Sequence, residues 1–541
     1  MAHRIALVMD CGSTTTRVVA VDQNGKLLAH ASAPSGPVQQ SGGEKGWLVW
    51  DLDALWNRLG KLSRAVCRQI QPRDIVAVTA TTWGADGAPM AADGRLTYPP
   101  ICWQCPRTAP IAQAIINQGR RPEGRGQRAS SLWPSPRPSP LAPRPSPKAS
   151  AWDLFRTTGY QVISFNTLLR LIWLRQHAPQ ALDDAKCWTM MAGLLSHRLC
   201  GEFSIDYTGA STMMAMDLGR RAWSPKLLEL AGVDESFFPR FVESGETIGG
   251  VTPAASKATG IPAGTPVTAA GHDTQFAPIG SGAKPGEAIL STGTWEILMA
   301  RVPRFEPNRA GFDGGLIIEA DALPGLYDPQ LLMMGSGVLE WIAKHFYALE
   351  NVGADPRARP KSAGLYPTMI GDAREFDPGA GGVTVIPSFV AGTGPTKRYG
   401  TLGTFLGLTI TTKRGQVYRA ALEGLSCQLR LAIEMLEAAT GFQPKGIRVV
   451  GGGSKNDLWN QIRADVTGLP VTTIEQKEAT VLGAALCAFV GTGVYPTLEA
   501  AQKAVRLGET TFRPSKAARA YREVYESYRA LLPILQPHYR K

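Results

Sequence analysis

The chain reads Asp10-Cys11-Gly12-Ser13-Thr14-Thr15-Thr16-Arg17 near its start and Ser291-Thr292-Gly293-Thr294-Trp295 about half its length later. Each stretch is a small Gly/Thr/Ser turn between apolar, strand-like runs: Ile5–Met9 and Val18–Val21 for the first, Ala288–Leu290 and Ile297–Ala300 for the second. Such turns present backbone N–H groups and small hydroxyls to anionic oxygens, and glycine allows close approach. One turn in each half of the chain predicts a phosphate chain held from both sides.

The length and composition are typical of a multidomain globular enzyme. At 541 residues the chain exceeds what one hydrophobic core usually supports, so two or more domains are expected. Hydrophobic residues make up 44% and charged residues 19% of the chain, which is ordinary for a soluble enzyme. The sequence shows neither a signal-peptide pattern nor a run of about 18 apolar residues. The eight scattered cysteines indicate no disulfide framework, so a reduced, cytoplasmic setting is expected.

The net charge of +12 is concentrated in one segment. Residues 119–148 contain six Arg and one Lys against the single Glu123. Proline at alternate positions in Pro134–Pro140 and Pro143–Pro147 excludes helices and sheet ladders there. We therefore predict an extended, solvated insertion, and favour a tolerated loop extension over a docking or RNA-binding arm. With this segment set aside, the charge does not predict a nucleic-acid or membrane partner.

The first turn belongs to a predicted strand meander. Three short strands are predicted: Ile5–Asp10, Arg17–Asp22 and Lys26–Ala31. Asn24-Gly25 joins the last two as a tight hairpin. Apolar residues then recur at helical spacing between positions 55 and 70, and a strand follows at Ile75–Thr81. This order resembles the core of actin, hexokinase and ribonuclease H-like proteins, which implies an α/β fold with two such domains and a catalytic cleft between them.

The second half contains a hinge-like connection and a further Gly-rich turn. Glycines and a proline at 280–286 predict the hinge. Later, the apolar run Gly446–Val450 enters Gly451-Gly452-Gly453-Ser454, and a helical pattern begins after it. A strand, a Gly-rich turn and a helix N-terminus allow a nucleotide to approach the backbone. The apolar run Val481–Val490 is predicted as a buried helix packed on a sheet.

Other phosphate-binding and metal signatures are not met by this sequence. A Walker loop requires Gly-x-x-x-x-Gly-Lys, but the Gly-Lys pairs at 25–26 and 60–61 have Ala20 and Leu55 where the leading glycine belongs. Neither Asp-Phe-Gly nor His-Arg-Asp occurs, which argues against a protein kinase. Cys102-Trp103-Gln104-Cys105 is a lone C-x-x-C, so zinc or redox chemistry is not expected there.

The chain resembles the FGGY family of carbohydrate kinases in stretches that follow the family order over nearly its whole length. These stretches are Thr81–Gly87, Trp103–Thr108, Ser164–Leu168, Gly271–Phe276, Ser291–Met299, Gly335–Trp341, Arg419–Leu425 and Val450–Ile462. Thr274-Gln275-Phe276 and the run Thr294–Met299 are most similar to family members that phosphorylate L-fuculose. The departure is the proline-rich segment, which interrupts a region that is helical in relatives.

The resemblance implies a site for ATP and Mg²⁺ formed by both turns. The implied nucleotide-binding residues are Asp10, Gly12, Ser13, Thr14, Thr15, Arg17, Thr292, Gly293, Thr294, Gly451, Gly452, Gly453 and Asn456. Asp10 and Asp273 would hold Mg²⁺ through water. The second turn would contact the β- and γ-phosphates, while adenosine would lie against the triple glycine with Asn456 near the base. Taken alone, Asp10, at the end of a strand before the Gly12 turn, also fits a simple turn cap.

Asp273 is the family position of the catalytic base. Phosphoryl transfer to a hydroxyl requires a group that accepts the hydroxyl proton, and Asp273 follows the strand-like run Pro266–Ala270. The implied sugar-binding residues are Trp83, Asp86, Trp103, His272 and Gln275. From the residues alone, Asp273 also fits a local cap and the tryptophans fit core packing. Glu340-Trp341 and the helix Val417–Leu425 are interpreted as scaffold.

The expected function is the ATP-dependent, Mg²⁺-requiring phosphorylation of L-fuculose at O1. An N-terminal domain is expected at 1–283, a C-terminal domain at 288–505 and a C-terminal helical extension at 506–541. A kinase for L-rhamnulose, D-ribulose, D-xylulose or glycerol stays open, as do a non-catalytic sugar- or nucleotide-binding regulator and an actin- or chaperone-type ATPase. The sequence leaves both monomer and homo-oligomer open.

Overall fold

The computed structural model describes residues 4–118, 149–347, 364–476 and 478–539. The insertion predicted at 119–148 lies outside the described residues. In the part of the chain that is described, we find no helix with the length and apolar character needed to cross a membrane.

The strands alternate with helices through most of the chain. The strands are β1 Ile5–Cys11, β2 Thr15–Asp22, β3 Leu27–Pro34, β4 Val38–Gln39, β5 Leu48–Val49, β6 Ile75–Thr82, β7 Gly87–Met90, β8 Cys187–Met190, β9 Ile205–Asp206, β10 Met216–Asp217, β11 Ala222–Trp223, β12 Phe241–Val242, β13 Thr247–Gly250, β14 Pro266–Thr268, β15 Glu287–Thr292, β16 Trp295–Met299, β17 Ile317–Ala320, β18 Tyr327–Met334, β19 Thr384–Ile386, β20 Thr404–Leu406, β21 Gly446–Val450, β22 Val471–Ile474 and β23 Glu509–Phe512.

The helices are α1 Leu52–Cys67, α2 Ala109–Gln118, α3 Ala151–Thr158, α4 Thr167–His177, α5 Gln180–Asp183, α6 Met191–Cys200, α7 Tyr207–Ser211, α8 Pro225–Glu229, α9 Pro253–Thr259, α10 Ala277–Gly280, α11 Arg309–Gly314, α12 Ser336–Phe346, α13 Tyr366–Arg374, α14 Arg414–Thr440, α15 Asp457–Thr467, α16 Ala479–Gly491, α17 Leu498–Ala504 and α18 Ala518–Tyr539.

The N-terminal half is built on a mixed sheet with the strand order β13-β14-β6-β1-β2-β3. β1, β2 and β3 form the predicted antiparallel meander, and β1 pairs in parallel with β6. Gly25 adopts a φ of +79° in the β2–β3 turn, the left-handed conformation that the Asn-Gly signal predicts. Both faces of β1 are buried, which accounts for its continuous apolar run.

Helix α1 shows how the local sequence sets an element that supports this sheet. The Asp51 side chain caps the helix by accepting a hydrogen bond from the Ala54 N–H. Leu55 and Leu59, one turn apart, are buried and the helix packs against β2 and β3. The apolar spacing between positions 55 and 70 therefore predicted the helix. The helix itself begins three residues earlier, at Leu52, and ends at Cys67, ahead of Pro72.

The C-terminal half repeats this topology. Its sheet has the order β17-β18-β16-β15-β21-β22-β23. An antiparallel meander of β15, β16 and β18 corresponds to β1, β2 and β3, and β15 pairs in parallel with β21 as β1 does with β6. The connection at 280–286 joins the halves, with Gly282 and Gly286 at positive φ. A hinge motion at this connection stays a prediction.

Helix α16 crosses from the second half onto the first. It packs against β1 and β6 of the N-terminal sheet, and its Val481 and Leu482 are fully buried there. At Gly483 an added Cβ would overlap the Phe276 carbonyl oxygen, so only glycine permits this close approach to α10. The predicted buried helix is therefore a contact between the halves.

The segment 506–541 differs in part from the predicted helical extension. Most of it forms α18, but β23 lies within it and pairs with β22 at the edge of the C-terminal sheet. Tyr521, Tyr525 and Tyr528 of α18 are buried in the core that also contains α14. The β-branched Thr510 and Thr511 fit an edge strand, and the buried tyrosines make the segment part of the C-terminal core.

Candidate active site

The carboxyl ends of three parallel strands meet at one edge of the N-terminal sheet. The register pairs Asp10 at the end of β1 with Thr81 of β6. Gly271, just after β14, accepts hydrogen bonds from the Thr82 N–H at 2.9 Å and from the Thr81 hydroxyl at 3.0 Å. Ligands of open α/β sheets bind at such edges. The sheet thus brings together the 10–17, 81–87 and 271–276 stretches.

The first turn is open to the cleft beyond Asp10. The Gly12 N–H donates to the Thr15 carbonyl at 2.9 Å, which closes the turn. Ser13 is half-buried, whereas Thr14 and Thr15 are exposed. The backbone and hydroxyls of this turn are therefore available to an anionic ligand.

Asp10 and Arg17 form an ion pair at the base of the turn. The Arg17 Nε donates to Asp10 Oδ2 at 2.5 Å, and Arg17 Nη1 reaches Glu478 Oε2 at 2.5 Å. Burial raises the pKa of Asp10, and the Arg17 charge opposes that shift. Glu478 stands just before α16, so Arg17 joins the two halves of the molecule.

Asp273 begins a short 3₁₀ turn, Asp273–Gln275, after β14. Its Oδ1 accepts a hydrogen bond from the Thr274 N–H at 2.7 Å, and its side chain is 29% exposed. Burial raises the pKa of Asp273 to about 6; the neighbouring His272 opposes this shift and Asp10 adds to it. A carboxylate that is aimed by a turn yet open to the cleft can accept a proton from a bound hydroxyl.

The His272 imidazole lies between Asp273 and a buried glutamate. Its Nε2 is 3.6 Å from Asp273 Oδ1, and its Nδ1 is 3.0 Å from Glu319 Oε2. Burial opposes a charge on this ring, but Glu319, with Asp273 and Asp206, raises the pKa of His272 to about 9. Gly84 lies against the ring, where a Cβ would come within 3.0 Å of it.

The tryptophan cluster beside this ring is organised by Asp86. Asp86 Oδ2 accepts hydrogen bonds from the indole N–H groups of Trp50 and Trp83, at 2.6 and 2.8 Å, and from the Trp103 backbone N–H at 3.1 Å. Its Oδ1 faces Arg170 Nη2 at 2.7 Å. Asp86 is fully buried, and its hydrogen bonds hold the tryptophans in place.

Gln275, like Asp86, is hydrogen-bonded to other side chains of the protein. It is fully buried, and its amide donates to Glu319 Oε2 at 2.8 Å and to Asp328 Oδ2 at 2.9 Å. Both acceptors lie in the C-terminal half. The structure therefore places Gln275 at the contact between the halves.

The second turn is fastened by a buried ion pair. Arg463 of α15 pairs with Glu296, both fully buried, and donates to the Thr292 hydroxyl at 3.2 Å. Thr292 is itself buried, whereas Thr294 is exposed and Gly293 is half-buried. Thr292 thus supports the turn, and the other two residues present it to the cleft.

The triple-glycine turn packs directly on the second turn. Gly451 has a φ of +92°, and a Cβ there would overlap the Thr292 carbonyl oxygen. A Cβ on Gly453 would overlap the Thr292 hydroxyl, whereas Gly452 has open space around it. Because β15 and β21 are parallel neighbours, both turns leave the same sheet edge.

Asn456 closes this turn as a helix cap. Its Oδ1 accepts a hydrogen bond from the Trp459 N–H at 3.1 Å, and its Nδ2 donates to the Tyr418 hydroxyl at 3.2 Å. Both polar ends of the side chain are thus engaged in holding α15, and the residue is buried.

Two carboxylates at the cleft suit a hydrated Mg²⁺ ion. Asp10 and Asp273 lie at the same edge of the N-terminal sheet, and the charge of Asp10 contributes to the raised pKa of Asp273. Within the described ranges no group of three or more His, Cys, Asp or Glu side chains could hold a metal. Mg²⁺ commonly uses one or two carboxylates together with waters and phosphate oxygens, so these two residues fit it.

Sequence reasoning missed several residues that organise the site. They are Trp50, Arg170, Glu296, Glu319, Asp328, Arg463 and Glu478. Each acts through a partner that is distant in sequence, and all but Glu296, which belongs to the Ser291–Met299 stretch, lie outside the short motifs. A charged residue inside an apolar strand pattern, such as Glu319 in β17, is the one local signal that points to them.

Two α/β halves of like topology, each with a phosphate-type turn at a sheet edge and a carboxylate between them, define a phosphotransferase of the actin and hexokinase class. Family models agree: the N-terminal domain of the FGGY family of carbohydrate kinases matches residues 5–135 and 128–280, and its C-terminal domain matches 288–492. The chain belongs to the FGGY family of carbohydrate kinases, as its motifs predicted.

Individual relatives and structures agree with this family. An L-fuculokinase of Escherichia coli (strain K12) is 36% identical over 524 residues, covering 97% of this chain and 100% of the relative. An autoinducer-2 kinase of Salmonella typhimurium is 27% identical and covers 97% and 95%. The crystal structure of xylulose kinase from Rhodospirillum rubrum has a TM-score of 0.80 at 22% identity, with full coverage of both chains, and confirms the predicted two-domain fold.

Proposed function

We propose that this kinase transfers the γ-phosphoryl group of ATP to O1 of L-fuculose, giving L-fuculose 1-phosphate and ADP. The observation that carries the proposal is the match to the E. coli L-fuculokinase along nearly the whole of both chains. It agrees with the position of a partly exposed Asp273 at the same sheet edge as the first phosphate-type turn. Members of one fold act on many substrates, so the sugar is the part that needs a direct test.

Each half of the molecule would bind one of the two substrates. Residues 1–283 would bind the sugar and contribute the first turn, and residues 288–505 would bind the nucleotide through the second turn and the triple glycine. The segment 506–541 would complete the core of the nucleotide-binding half. Because Arg17 and Glu478 join the halves beside Asp10, closure of the cleft would bring the two phosphate turns towards each other.

Asp273 would act as general base. Its carboxylate accepts the proton of the sugar O1 hydroxyl while O1 forms a bond to the γ-phosphorus, and the bond from that phosphorus to the β–γ bridging oxygen breaks. ADP leaves with the electron pair of the broken bond. Gly12 to Thr15, Gly293 and Thr294 would bind phosphate oxygens. Mg²⁺ held by Asp10 and Asp273 would supply positive charge to the phosphates.

The sugar would meet the tryptophan cluster and His272. Indole faces cover C–H surfaces, and polar groups at the edge fix the hydroxyls. We propose direct contacts for Trp83, Trp103 and His272. The burial of Asp86 and Gln275 supports an indirect part for both, because each holds a neighbour that faces the cleft. The eight cysteines are all buried free thiols, which would suit the reducing cytoplasm that we propose as the enzyme's location.

A sugar screen coupled to ADP release tests the substrate. At saturating MgATP, kcat/KM for L-fuculose should exceed that for L-rhamnulose, D-ribulose, D-xylulose and glycerol by about tenfold or more, since an epimer leaves buried polar groups unpaired. A competitor that equals L-fuculose would refute the substrate and leave the kinase intact. Absence of turnover on every sugar would instead favour a non-catalytic binding protein.

A further inference from the structure

Glu319, a carboxylate of the C-terminal half, contacts the turn that contains Asp273. Glu319 lies in β17 and is 1% exposed. Its Oε2 accepts hydrogen bonds from His272 Nδ1 at 3.0 Å and from Gln275 Nε2 at 2.8 Å. Its Oε1 accepts one from the Tyr160 hydroxyl at 3.0 Å. All three donors belong to the N-terminal half.

These contacts determine which way the His272 ring faces. A carboxylate is an acceptor only, so Nδ1 carries the proton that Glu319 binds, and Nε2 is turned towards Asp273 Oδ1 at 3.6 Å. The His272 backbone is also held, because its N–H donates to the Thr208 hydroxyl at 2.8 Å. Gly84 closes the face of the ring. The imidazole is thus fixed at its backbone, its face and its far nitrogen.

The neighbouring strand completes the arrangement. Asp328 of β18 stands directly opposite Glu319 in the antiparallel register and accepts a second hydrogen bond from the Gln275 amide. Burial, together with Asp321 and Glu319, raises the pKa of Asp328 well above its usual range. The two carboxylates therefore hold the Gln275 amide between them.

We propose that Glu319 is a positioning residue for phosphoryl transfer, because it orients the His272 imidazole beside Asp273 from the second domain. The proposed base and the sugar-facing histidine are then aligned only when the two domains are in contact. This inference rests on the proposed function, because it assigns His272 and Asp273 to the reacting sugar. Orientation of reacting groups contributes strongly to rate, and a displacement of about 1 Å can cost about a hundredfold.

Glu319→Gln keeps the shape but removes the negative charge and leaves one acceptor oxygen in place of two, so the charge-assisted hydrogen bond to His272 Nδ1 is weakened. We expect kcat to fall by about ten- to a hundredfold, while KM for ATP changes by less than about threefold, since the nucleotide turns lie elsewhere. The matched control is Glu423→Gln. Glu423 is also buried and accepts hydrogen bonds from a tyrosine hydroxyl, an arginine and a backbone N–H, but it lies outside the site.

A double-mutant cycle separates positioning from simple stabilisation. In a His272→Ala background no imidazole is left to orient, so adding Glu319→Gln should lower kcat by less than about twofold. Melting temperatures of all variants, including the control, show how much of each loss is due to stability. The inference would be overturned if the double variant lost kcat by the full product of the two single-variant losses. It would also be overturned if Glu423→Gln lost as much kcat as Glu319→Gln.

The cycle is run with the sugar that the wild-type enzyme turns over best. If that sugar is not L-fuculose, the proposed substrate fails while the cycle still decides the part of Glu319. If no sugar is turned over, both the proposed function and this inference are overturned.

Discussion

At the scale of single residues, the aspartates near the cleft differ in what surrounds them. Asp86 is fully buried and accepts three N–H hydrogen bonds in addition to its ion pair with Arg170. Asp273 keeps 29% of its side chain exposed and is held by a backbone N–H. A carboxylate must reach the reacting hydroxyl to act as its base, and this difference in access favours Asp273.

The substitution Asp273→Asn tests this assignment. A carboxamide in place of the carboxylate could not accept the hydroxyl proton, so kcat should fall by about 10²- to 10⁴-fold, while ATP binding measured by calorimetry persists. Asp93→Asn, which changes an exposed turn aspartate, serves as the control and should leave kcat unchanged. A kcat above about a tenth of the wild-type value for Asp273→Asn would exclude a general-base role, given the size of that effect.

At the scale of elements, the proposed nucleotide site depends on two turns that leave adjacent parallel strands. β15 ends in the second phosphate turn and β21 ends in the triple glycine. Gly451 and Gly453 allow these turns to touch, since a side chain at either position would overlap Thr292. Arg463, from the helix after the glycines, then holds the Thr292 hydroxyl. The second turn and the triple-glycine turn are thus one packed unit.

Gly453→Ala should disturb this unit. The new methyl group would overlap the Thr292 hydroxyl and lie 3.0 Å from the Trp459 ring, and overpacking of this kind costs about 1–3 kcal/mol. KM for ATP should rise by about tenfold, while KM for the sugar stays within about twofold. Gly36→Ala, where a Cβ meets nothing within 4 Å, is the matched control. An unchanged KM for ATP in Gly453→Ala would mean that the two turns are independent.

At the scale of the whole molecule, the two halves repeat one topology and are fastened at the cleft. Arg17 with Glu478, and His272 and Gln275 with Glu319, join them beside the proposed catalytic residues. Helix α16 adds an apolar contact behind the cleft. Because charged contacts lie at the reacting centre and apolar contacts behind it, domain contact and site assembly are coupled.

The proline-rich insertion should be dispensable for this arrangement. Its composition predicts an extended, solvated loop, and α2 and α3 on either side of it contact each other. Replacement of residues 119–148 by a short Gly/Ser linker should therefore leave kcat and melting temperature nearly unchanged, as loop-length changes usually cost little. Loss of folding in the replaced protein would show that the segment is structural.

Much of the fold was readable from local patterns, because those patterns report local physics. Alternating and continuous apolar runs marked the strands around both turns, and the Asn-Gly pair marked the β2–β3 hairpin. Helix α1 was found from its leucine spacing. The strand within 506–541 was missed, since an exposed edge strand has a weak apolar pattern and its pairing with β22 is made by distant residues.

The sequence by itself determined the family and the two-domain class, and it located the two Gly/Thr/Ser turns, Asp10 and Asp273 that form the proposed site. These features depend on short stretches whose residue types and spacing carry the signal. Only the tertiary structure decided that Asp86 and Gln275 are buried among protein partners, and that Glu319 and Arg463 contact the proposed site residues from outside the motifs. Burial and long-range hydrogen bonding are properties of packed elements, and the partners in these contacts lie 44 residues apart in the chain for Gln275–Glu319 and 171 residues apart for Arg463–Thr292.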